Sequence, residues 1–350
     1  MRMRNIIFNT TAIFQICMFL LLIYYLSLSV FGFFGANKII KHKPQKSFAL
    51  VVAAHNEEKV IGKIIESLKD LNYPKRLYDI YIIADNCIDN TAMIARNYKV
   101  NVFERYDENN KGKGFALELM FSKIFKKDRI YDAIGIFDAD NLVSRNFLIE
   151  MNSKLLEGHR VVQGYIDSKN PHDSWITECY SISFWSSNRL FQLARNNLHL
   201  SNQIGGTGFI VSTEVLKKIG WSSTCLTEDL EFTCKLILNN YKVAWCHKAI
   251  VYDEKPLTLR QSWRQRKRWM QGFTDVTIKF FMKLIRKAMV DKDFVALDCA
   301  LYVVQPFVFL LFGLSLLLTF MQNNYRFGLS TGLNHELTNC EQVKKEGGIS

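Results

Sequence analysis

Two long apolar segments stand out in the pattern of hydrophobic and polar positions along the chain. Residues 11–34 contain no charged residue, and a helix of this length crosses the hydrocarbon layer of a bilayer. Residues 295–320 form a second apolar segment, interrupted by Asp298 near its start and by Pro306, which membrane helices tolerate. The pattern predicts three terminal regions: an N-terminal transmembrane anchor over residues 1–36, a transmembrane helix over 294–321 and a short polar tail over 322–350.

Between these segments, short apolar runs alternate with stretches of helical period. This alternation is typical of βαβ units, so we expect an α/β fold with a mostly parallel sheet and flanking helices. The region from 37 to 293 has the size of one large domain, and its last part, about 256–290, is a basic amphipathic stretch suited to a membrane surface. The predicted strands are residues 48–54, 80–84, 100–103 and 133–137, and the predicted helices surround 60–71, 91–98 and 114–125.

The charge pattern favours membrane lipids over nucleic acid as a partner. The net charge is +12, but the basic residues concentrate beside the apolar segments and around 260–268, without any zinc-finger or RNA-binding motif. Basic residues after the first apolar segment and before the second predict a cytoplasmic central domain on an integral plasma-membrane protein. The eight cysteines contain no CxxC pair, which suits a reducing compartment. The flanking basic residues are Lys38, Lys41, Lys43, Lys46, Lys283, Arg286, Lys287 and Lys292.

Polar side chains close three of the predicted strands, at the edge where parallel sheets collect ligands. No GxGxxG follows the first strand and no GxxxxGK[ST] occurs, which excludes the common dinucleotide and P-loop motifs. Asp138 and Asp140 point the same way on an extended chain, so a Mg²⁺ or Mn²⁺ ion carrying a diphosphate would relieve their repulsion. A turn cap is the alternative for this pair. The first strand ends in Asn56 and Glu57, and the second ends in Asp85, a candidate ligand contact, whereas Asp89 suits a turn.

Three further segments carry candidate chemistry, each beside a structural alternative. Lys111 to Gly114 precede a helix and suit an anion, or form an exposed basic turn. Thr227-Glu228-Asp229 opens an amphipathic helix, where acids also serve the helix dipole, and residues 205–208 before it predict only a flexible turn. Residues 265–269, QRKRW, suit a membrane-surface helix, or a leaving-group stabiliser at Arg268 with a sugar platform at Trp269.

The order of these motifs is more specific than any one of them. VVAAHNEE, ADNC, KGKG, DAD, TED and QRKRW, flanked by apolar segments, resemble the membrane-bound family-2 glycosyltransferases, such as the cellulose, hyaluronan and poly-N-acetylglucosamine synthases. The resemblance covers about residues 48–320. It implies the glycosyltransferase A-type fold, with a nucleotide-diphospho-sugar bound at the sheet, and a UDP-sugar-dependent hexosyltransferase.

The resemblance also implies roles for individual residues. Asp138 and Asp140 would hold the metal and diphosphate, and Asp229, beside Glu228 in the catalytic TED segment, would act as general base. Attack by the deprotonated acceptor hydroxyl in one displacement would invert the anomeric configuration and form a β-linkage. By the same resemblance, Asp85 would contact the uridine, and Gln265, Arg268 and Trp269 would grip the pyrophosphate and line the acceptor site. We also expect the nucleotide sugar to be bound by Asn56, Glu57, Lys113 and Asp138.

Three functions stay open at this stage. A processive polysaccharide synthase is favoured by QRKRW, a lipid glycosyltransferase is the alternative, and a binding module with vestigial catalytic acids is disfavoured by the intact acids. We expect UDP-N-acetylglucosamine rather than UDP-glucose as the donor, although no single residue in the sequence identifies the sugar. One apolar segment follows QRKRW, where such synthases carry several. Either the chain is truncated or naturally short, or further subunits or a second copy complete a polymer channel.

Overall fold

The structure, a computed structural model, describes residues 2–35, 40–222 and 224–322, and the side chains from residue 11 onwards. The predicted tail at 322–350 therefore lies almost wholly outside the described residues. The chain divides into two compact units, one of residues 1–26 with 305–350 and the other of residues 27–304. The candidate site belongs to the second unit.

The described residues form eight strands and twelve helices, together with three short irregular helical segments. The strands are β1 (Phe48–Ala54), β2 (Tyr78–Asp85), β3 (Asn101–Arg105), β4 (Ala133–Asp138), β5 (Leu142–Val143), β6 (Val161–Ser168), β7 (Phe209–Ser212) and β8 (Val243–Asp253). The helices are α1 (Arg2–Val30), α2 (Ile61–Lys69), α3 (Thr91–Asn97), α4 (Lys113–Phe125), α5 (Phe147–Leu156), α6 (Trp175–Ser187), α7 (Ala194–Asn197), α8 (Thr213–Ile219), α9 (Glu228–Leu238), α10 (Leu259–Val290), α11 (Phe294–Val303) and α12 (Gln305–Gln322). The irregular segments are 3₁₀ turns at Phe31–Phe33 and Lys75–Leu77 and a π-helix at Asn188–Leu193.

The strands form one sheet in the order β3-β2-β1-β4-β7-β6-β8-β5. The first four strands are parallel to one another, as the alternating pattern predicts. β7 is antiparallel to both β4 and β6, whereas β6 and β8 are parallel. The mostly parallel expectation thus holds for β1 to β4, but the whole sheet is mixed. Because β7 is antiparallel to its neighbour on each side, β6 and β8 run in the same direction as β4. The three strands therefore end at the same edge of the sheet.

The sheet is buried on both faces, which explains its continuous apolar strands. Alternate residues of β1 enter opposite layers: Phe48 and Leu50 pack with α2 and α5, whereas Ala49 and Val51 pack with α4 and α9. A third cluster joins α9, α10 and α11. The helix that follows Thr227 is therefore fixed on the sheet by one face and on α10 and α11 by another.

Two helical segments are long and apolar enough to cross a membrane, Thr11–Phe33 within α1 and its 3₁₀ extension, and Gln305–Gln322. In the first unit, Gln15 Nε2 donates to Thr319 Oγ1 at 2.9 Å, so polar side chains of the two segments pair with each other. Both segments match the predicted apolar runs in composition.

The predicted single helix over residues 294–321 is corrected to two helices. The helix is interrupted at Val304, because Pro306 lacks an N–H and its ring clashes with the carbonyl group four residues earlier. The first half, α11, packs inside the second unit, where Asp298 forms a bidentate ion pair with Arg195 at 2.8 and 2.9 Å. Both side chains are 1% exposed. Asp298 is therefore an internal partner of the folded unit that contains the sheet.

Candidate active site

The turn after β4 carries the predicted pair of aspartates. Asp138 is the last residue of β4, and its backbone N–H donates to Asn141 Oδ1 and to Thr207 Oγ1, each at 3.1 Å. The turn is held by these two side chains, while the Asp138 carboxylate pairs with Lys113. This arrangement disfavours the turn-cap alternative, because the carboxylate is directed to a cation.

Asp140 lies among other carboxylates. Burial, together with the negative charges of Asp253, Asp138 and Glu57, raises the pKa of Asp140 to about 7. Asn141 Nδ2 connects two of these acids, donating to Asp140 Oδ1 at 3.2 Å and to Asp253 Oδ1 at 3.1 Å. The raised pKa means that the negative charge of the ionised Asp140 is poorly compensated by its surroundings. A cation bound at this position would therefore be favourable.

The chemistry of the aspartate pair fits a divalent ion only together with a substrate. Within the described residues, no group of three or more His, Cys, Asp or Glu side chains is arranged to hold a metal by itself. Mg²⁺, however, usually keeps several waters and binds one or two carboxylates plus phosphate oxygens. Asp138 and Asp140 supply two carboxylates, so the remaining ligands of the ion would have to come from a diphosphate and from water.

Lys113, the first residue of α4, lies between the aspartate pair and the start of α9. Its Nζ pairs with Asp138 Oδ1 and donates to the carbonyl oxygen of Gly206 at 2.7 Å. Burial lowers the pKa of Lys113, but the negative charges of Asp138, Glu228 and Asp229 outweigh this effect and raise the pKa above its ordinary value. Lys113 therefore remains a cation at the centre of the site.

Asp229 lies in the first turn of α9, with one oxygen facing Gly206. Leu230 N donates to Asp229 Oδ1 at 2.8 Å, and a methyl group on Gly206 would lie 3.3 Å from Oδ2. Gly206 has φ +81, a conformation that glycine adopts without strain. Burial and the charge of neighbouring Glu228 raise the pKa of Asp229 to about 7. A carboxylate with such a pKa can accept a proton near neutral pH.

The structure places Asn56 and Glu57 on the loop that follows β1, and Asp85 at the end of β2. Asn56 has φ +56, and its Oδ1 accepts a hydrogen bond from Ile88 N at 2.9 Å, so its amide joins the two loops. Burial and the charges of Asp89 and Asp138 raise the pKa of Glu57. Asp85 is 6% exposed. Asp89 accepts hydrogen bonds from the backbone N–H groups of Glu58 and Thr91, each at 3.0 Å, which agrees with a turn role.

The QRKRW segment lies on α10, and Gly272 of the same helix packs against Thr227, the residue that precedes Glu228. A methyl group on Gly272 would lie 2.4 Å from Thr227 Cγ2, so only glycine allows α10 to approach the start of α9 this closely. The close approach fixes α10 against the start of α9, three residues after the QRKRW segment ends.

Within that segment the three predicted residues differ in their surroundings. Trp269 packs near Tyr180 of α6, with ring centroids 6.3 Å apart. Gln265 Oε1 is buried and accepts no hydrogen bond from the described residues. Arg268 is exposed and forms no ion pair with any described residue, so its guanidinium is available to an anion.

The sequence does not single out Asp253, Asn141 or Thr207, which the structure adds to the site. Asp253 ends β8, and Lys255 Nζ lies 2.7 Å from its Oδ2. An apolar strand ending in an acid is the signal that identifies Asp138, and AIVYD at 249–253 repeats it. Gly206 is also more than the predicted flexible turn, because its carbonyl binds Lys113 and its missing side chain leaves room for Asp229.

Sequence comparison finds a protein family and several known proteins that are similar to this chain. A profile of the glycosyltransferase-like family 2 matches residues 44–272, about two thirds of the chain. The β-monoglucosyldiacylglycerol synthase of Nostoc sp. is 30% identical over 236 residues, which cover 64% of this chain and 48% of that protein. The poly-β-1,6-N-acetyl-D-glucosamine synthase of Staphylococcus epidermidis is 27% identical over 281 residues, which cover 75% of this chain and 65% of that protein.

A solved structure extends the likeness to the fold. The mannosyltransferase of Pyrobaculum calidifontis, solved with GDP-mannose and Mn²⁺, superposes with a TM-score of 0.62 at 15% identity, covering 87% of this chain and 84% of that chain. The chain spans about half to two thirds of the length of the curated relatives it matches. The glycosyltransferase A-type fold implied by the sequence resemblance is confirmed. Because the family match covers well over half of its residues, this chain belongs to glycosyltransferase-like family 2.

Proposed function

We propose that the chain transfers a hexose from a UDP-sugar to a hydroxyl group of a growing polysaccharide at a membrane, in a metal-dependent step that inverts the anomeric carbon. The observation that carries this proposal is the position of Asp229. Its buried carboxyl, with a pKa of about 7, is separated from the Lys113–Asp138 ion pair only by the Gly206 turn. A proton acceptor and a diphosphate-binding group thus lie on either side of one small residue.

Asp138 and Asp140 would hold Mg²⁺ or Mn²⁺ together with the donor diphosphate. Such an ion, when bound, supplies positive charge that stabilises the departing nucleotide diphosphate. Support for this assignment comes from the raised pKa of Asp140, which marks uncompensated negative charge, and from Lys113, which adds a fixed cation beside Asp138.

The other steps use side chains of this chain. Asp229 Oδ2 would take the proton of the acceptor hydroxyl as that oxygen attacks the anomeric carbon, and the charge of Glu228 keeps Asp229 basic enough to do so. Lys113 and the exposed Arg268 would bind the diphosphate as it leaves. Asn56, Glu57 and Asp85 would contact the nucleotide, and Gln265 and Trp269 would line the acceptor path. Attack opposite the leaving group in one displacement would give a β-linkage from an α-linked donor.

The acceptor is the least defined part of the proposal. The relatives named above include both a poly-β-1,6-N-acetyl-D-glucosamine synthase and a β-monoglucosyldiacylglycerol synthase. A polysaccharide acceptor is favoured by the QRKRW segment on α10, and UDP-N-acetylglucosamine is our preferred donor over UDP-glucose. The second candidate, glycosylation of a lipid, is favoured by the 30% identity to the diacylglycerol enzyme.

We further infer that Thr11–Phe33 and Gln305–Gln322 cross the plasma membrane and that the sheet-containing unit is cytoplasmic. The basic residues beside both segments support this orientation. α10 supports contact with lipid, because Trp263, Ile278 and Met282 are at least 70% exposed on a helix rich in lysine and arginine. A second copy or further subunits would complete any channel for a polymer.

Release of UDP from the detergent-solubilised chain tests the proposal. UDP-N-acetylglucosamine and UDP-glucose are offered separately with Mn²⁺ or Mg²⁺, and Asp229→Asn is compared with a control, Asp275→Asn, which changes an exposed acid on α10. We expect turnover with one donor, its loss in Asp229→Asn and after chelation, and its survival in the control. Metal-dependent UDP binding without turnover on either acceptor class would instead indicate a binding module.

The same assay separates the two acceptors when products are sized. A carbohydrate primer that is extended by many sugars indicates a polysaccharide synthase, whereas one sugar added to diacylglycerol indicates the lipid function. Turnover that persists in Asp229→Asn would refute the assigned base and, with it, the proposed mechanism.

A further inference from the structure

A buried ion pair joins the ends of two neighbouring strands beside the candidate site. Asp85 is the last residue of β2 and Arg105 is the last residue of β3, and the two are paired in the strand register. Arg105 Nη1 lies 2.6 Å from Asp85 Oδ1, and both side chains are 8% exposed. An ion pair this well excluded from water is costly to form unless every charge is further hydrogen-bonded, so its remaining contacts are informative.

Arg105 is held in place by the loop that follows its strand. Its Nη2 donates to Asp107 Oδ2 at 2.9 Å and to the carbonyl oxygen of Asn110 at 2.6 Å. Asp107 in turn accepts hydrogen bonds at Oδ1 from the backbone N–H groups of Asn109 and Asn110, each at 3.0 Å. The guanidinium therefore cannot swing towards a ligand without breaking several hydrogen bonds, and its effect must pass through Asp85.

Only one oxygen of Asp85 remains for a ligand. Oδ1 accepts from Arg105 and also from Asn86 Nδ2, at 3.2 Å. Asn86 is itself fixed, because its Oδ1 accepts from Asp107 N at 2.9 Å and its own N–H donates to the carbonyl of Arg105 at 2.7 Å. Among the described residues, nothing donates a hydrogen bond to Asp85 Oδ2. A carboxylate oxygen can only accept, so this site offers one acceptor in a fixed direction.

We propose that Arg105 is a positioning residue that makes the donor site selective for uracil, by occupying Asp85 Oδ1 and aiming Oδ2 at a single ring N–H. The inference rests on the proposed function, in which Asp85 contacts the nucleotide. Uracil presents one donor, N3–H, between two carbonyl groups and matches a single acceptor. Guanine presents N1–H and its amino group side by side and needs both carboxylate oxygens, of which Arg105 and Asn86 already use one.

Cytosine is disfavoured for a different reason. Its N3 is an acceptor, so its lone pair would face the lone pairs of Asp85 Oδ2, and both groups would be left without a partner. A site built around a buried hydrogen-bonding group rejects a ligand that cannot complete the bond far more strongly than an apolar pocket rejects a change of shape. The network thus favours a uridine diphosphate sugar over its guanosine and cytidine counterparts.

Titration calorimetry of the full chain in detergent tests the inference, with UDP, GDP and CDP each titrated at one fixed concentration of Mn²⁺. We expect the unmodified protein to bind UDP at least about tenfold more tightly than GDP or CDP, the size of one lost charged hydrogen bond. In Arg105→Met, the affinity for UDP should fall towards that for CDP, so that the ratio shrinks. KM for the UDP-sugar should rise with little change in kcat.

Two other variants keep the test decisive if Arg105→Met does not fold. Asp107→Asn preserves the shape of the loop but loosens Arg105, so the UDP-to-CDP ratio should fall in the same direction by a smaller factor. Arg96→Met is the matched control, because Arg96 forms a more exposed ion pair with Glu104 of the same strand. The control should leave all three affinities unchanged.

The outcomes separate failure of the inference from failure of the proposed function. If Arg105→Met and Asp107→Asn weaken UDP, GDP and CDP by the same factor, Arg105 has only a structural role and the inference is overturned. Equal binding of UDP and GDP by the unmodified protein overturns it as well. If the unmodified protein binds no nucleoside diphosphate with or without Mn²⁺, the proposed function itself fails.

Discussion

Replacing Asp229 by asparagine should stabilise the folded protein at alkaline pH while it abolishes transfer. Burial and Glu228 raise the pKa of Asp229 from 3.8 to about 7, so the folded chain resists ionisation of this group. Each unit by which the pKa differs between the folded and the unfolded chain corresponds to about 1.4 kcal/mol. The pKa difference of roughly three units means that an ionised Asp229 lowers the free energy of unfolding by up to about 4 kcal/mol. Asparagine avoids this cost.

The pH dependence gives this prediction its sign. Between about pH 4 and about pH 7 the folded chain binds more protons at Asp229 than the unfolded chain, so the free energy of unfolding falls as the pH rises through this window. The advantage of the variant is therefore absent below about pH 4 and complete above about pH 7, and it grows by about 2 kcal/mol between about pH 5.5 and about pH 8.

Thermal unfolding of the detergent-solubilised chain measures the effect. One kcal/mol corresponds to about 2–4 °C for a unit of this size, so Asp229→Asn should melt several degrees above the unmodified protein at about pH 8 and by less at about pH 5.5. Asp275→Asn, at an exposed position, should show no such difference. A variant that melts at or below the unmodified protein at about pH 8, or whose advantage does not change with pH, would refute the argument from burial.

Two further predictions concern the glycine beside Asp229 and the buried ion pair between Arg195 and Asp298. Gly206→Ala should cost about 1–2 kcal/mol through its positive φ and should also lower kcat, because the methyl group displaces the Asp229 carboxylate. Gly158→Ala, at φ +96 in open space, should cost similar stability with kcat unchanged, and equal kcat values in the two variants would contradict the steric argument. Arg195→Met should lower the free energy of unfolding by about 3–5 kcal/mol, because it removes the bidentate cationic partner of the buried Asp298 carboxylate. In Arg195→Met/Asp298→Leu most of that loss should be restored, and thermal melting in which the double variant is no more stable than the single one would oppose this explanation.

The central strands could be predicted because their signal is local. The sequence predicts strands at 48–54 and 133–137, and the structure has Phe48–Ala54 and Ala133–Asp138. Strands buried on both faces are continuously apolar, so neither pairing nor register has to be known to find them. The residues that close these strands could be predicted to meet, since parallel strands end at the same edge.

The far half of the sheet could not be predicted in the same way. β6 contains Gln163, which is fully buried because its Nε2 donates to the carbonyl oxygens of Gly164 and Thr207, each at 3.0 Å. A polar residue in a strand interior hides the apolar pattern, and its partners are distant in sequence. Without β6 in place, nothing in the sequence shows that β8 ends beside the turn that follows β4, and Asp253 is therefore missed.

The second apolar segment shows the limit of composition. Leu, Val and Ala at 295–304 suit a lipid environment and a protein interior equally well, and the pattern alone does not distinguish them. Asp298 distinguishes them only once Arg195 is known to lie opposite it, and Arg195 is distant in sequence on a short helix. A charge that interrupts an apolar run is thus better evidence for a buried partner than for a tolerated defect in a membrane helix.

The charge balance of the site links its architecture to the proposed chemistry. The chain supplies its own cations to two of the four central aspartates, Lys113 to Asp138 and Lys255 to Asp253. Among the described residues, no ion pair forms at Asp140 or at Asp229, and burial leads the causes that raise both pKa values to about 7. These two are the positions to which the proposed function assigns a charge from outside the chain, a divalent ion at Asp140 and the acceptor proton at Asp229. Lysine partners for Asp140 and Asp229 would stabilise the fold and, under the proposed function, would remove the affinity for the divalent ion and for the proton. The incomplete charge compensation is what would allow such a site to bind the ion and react.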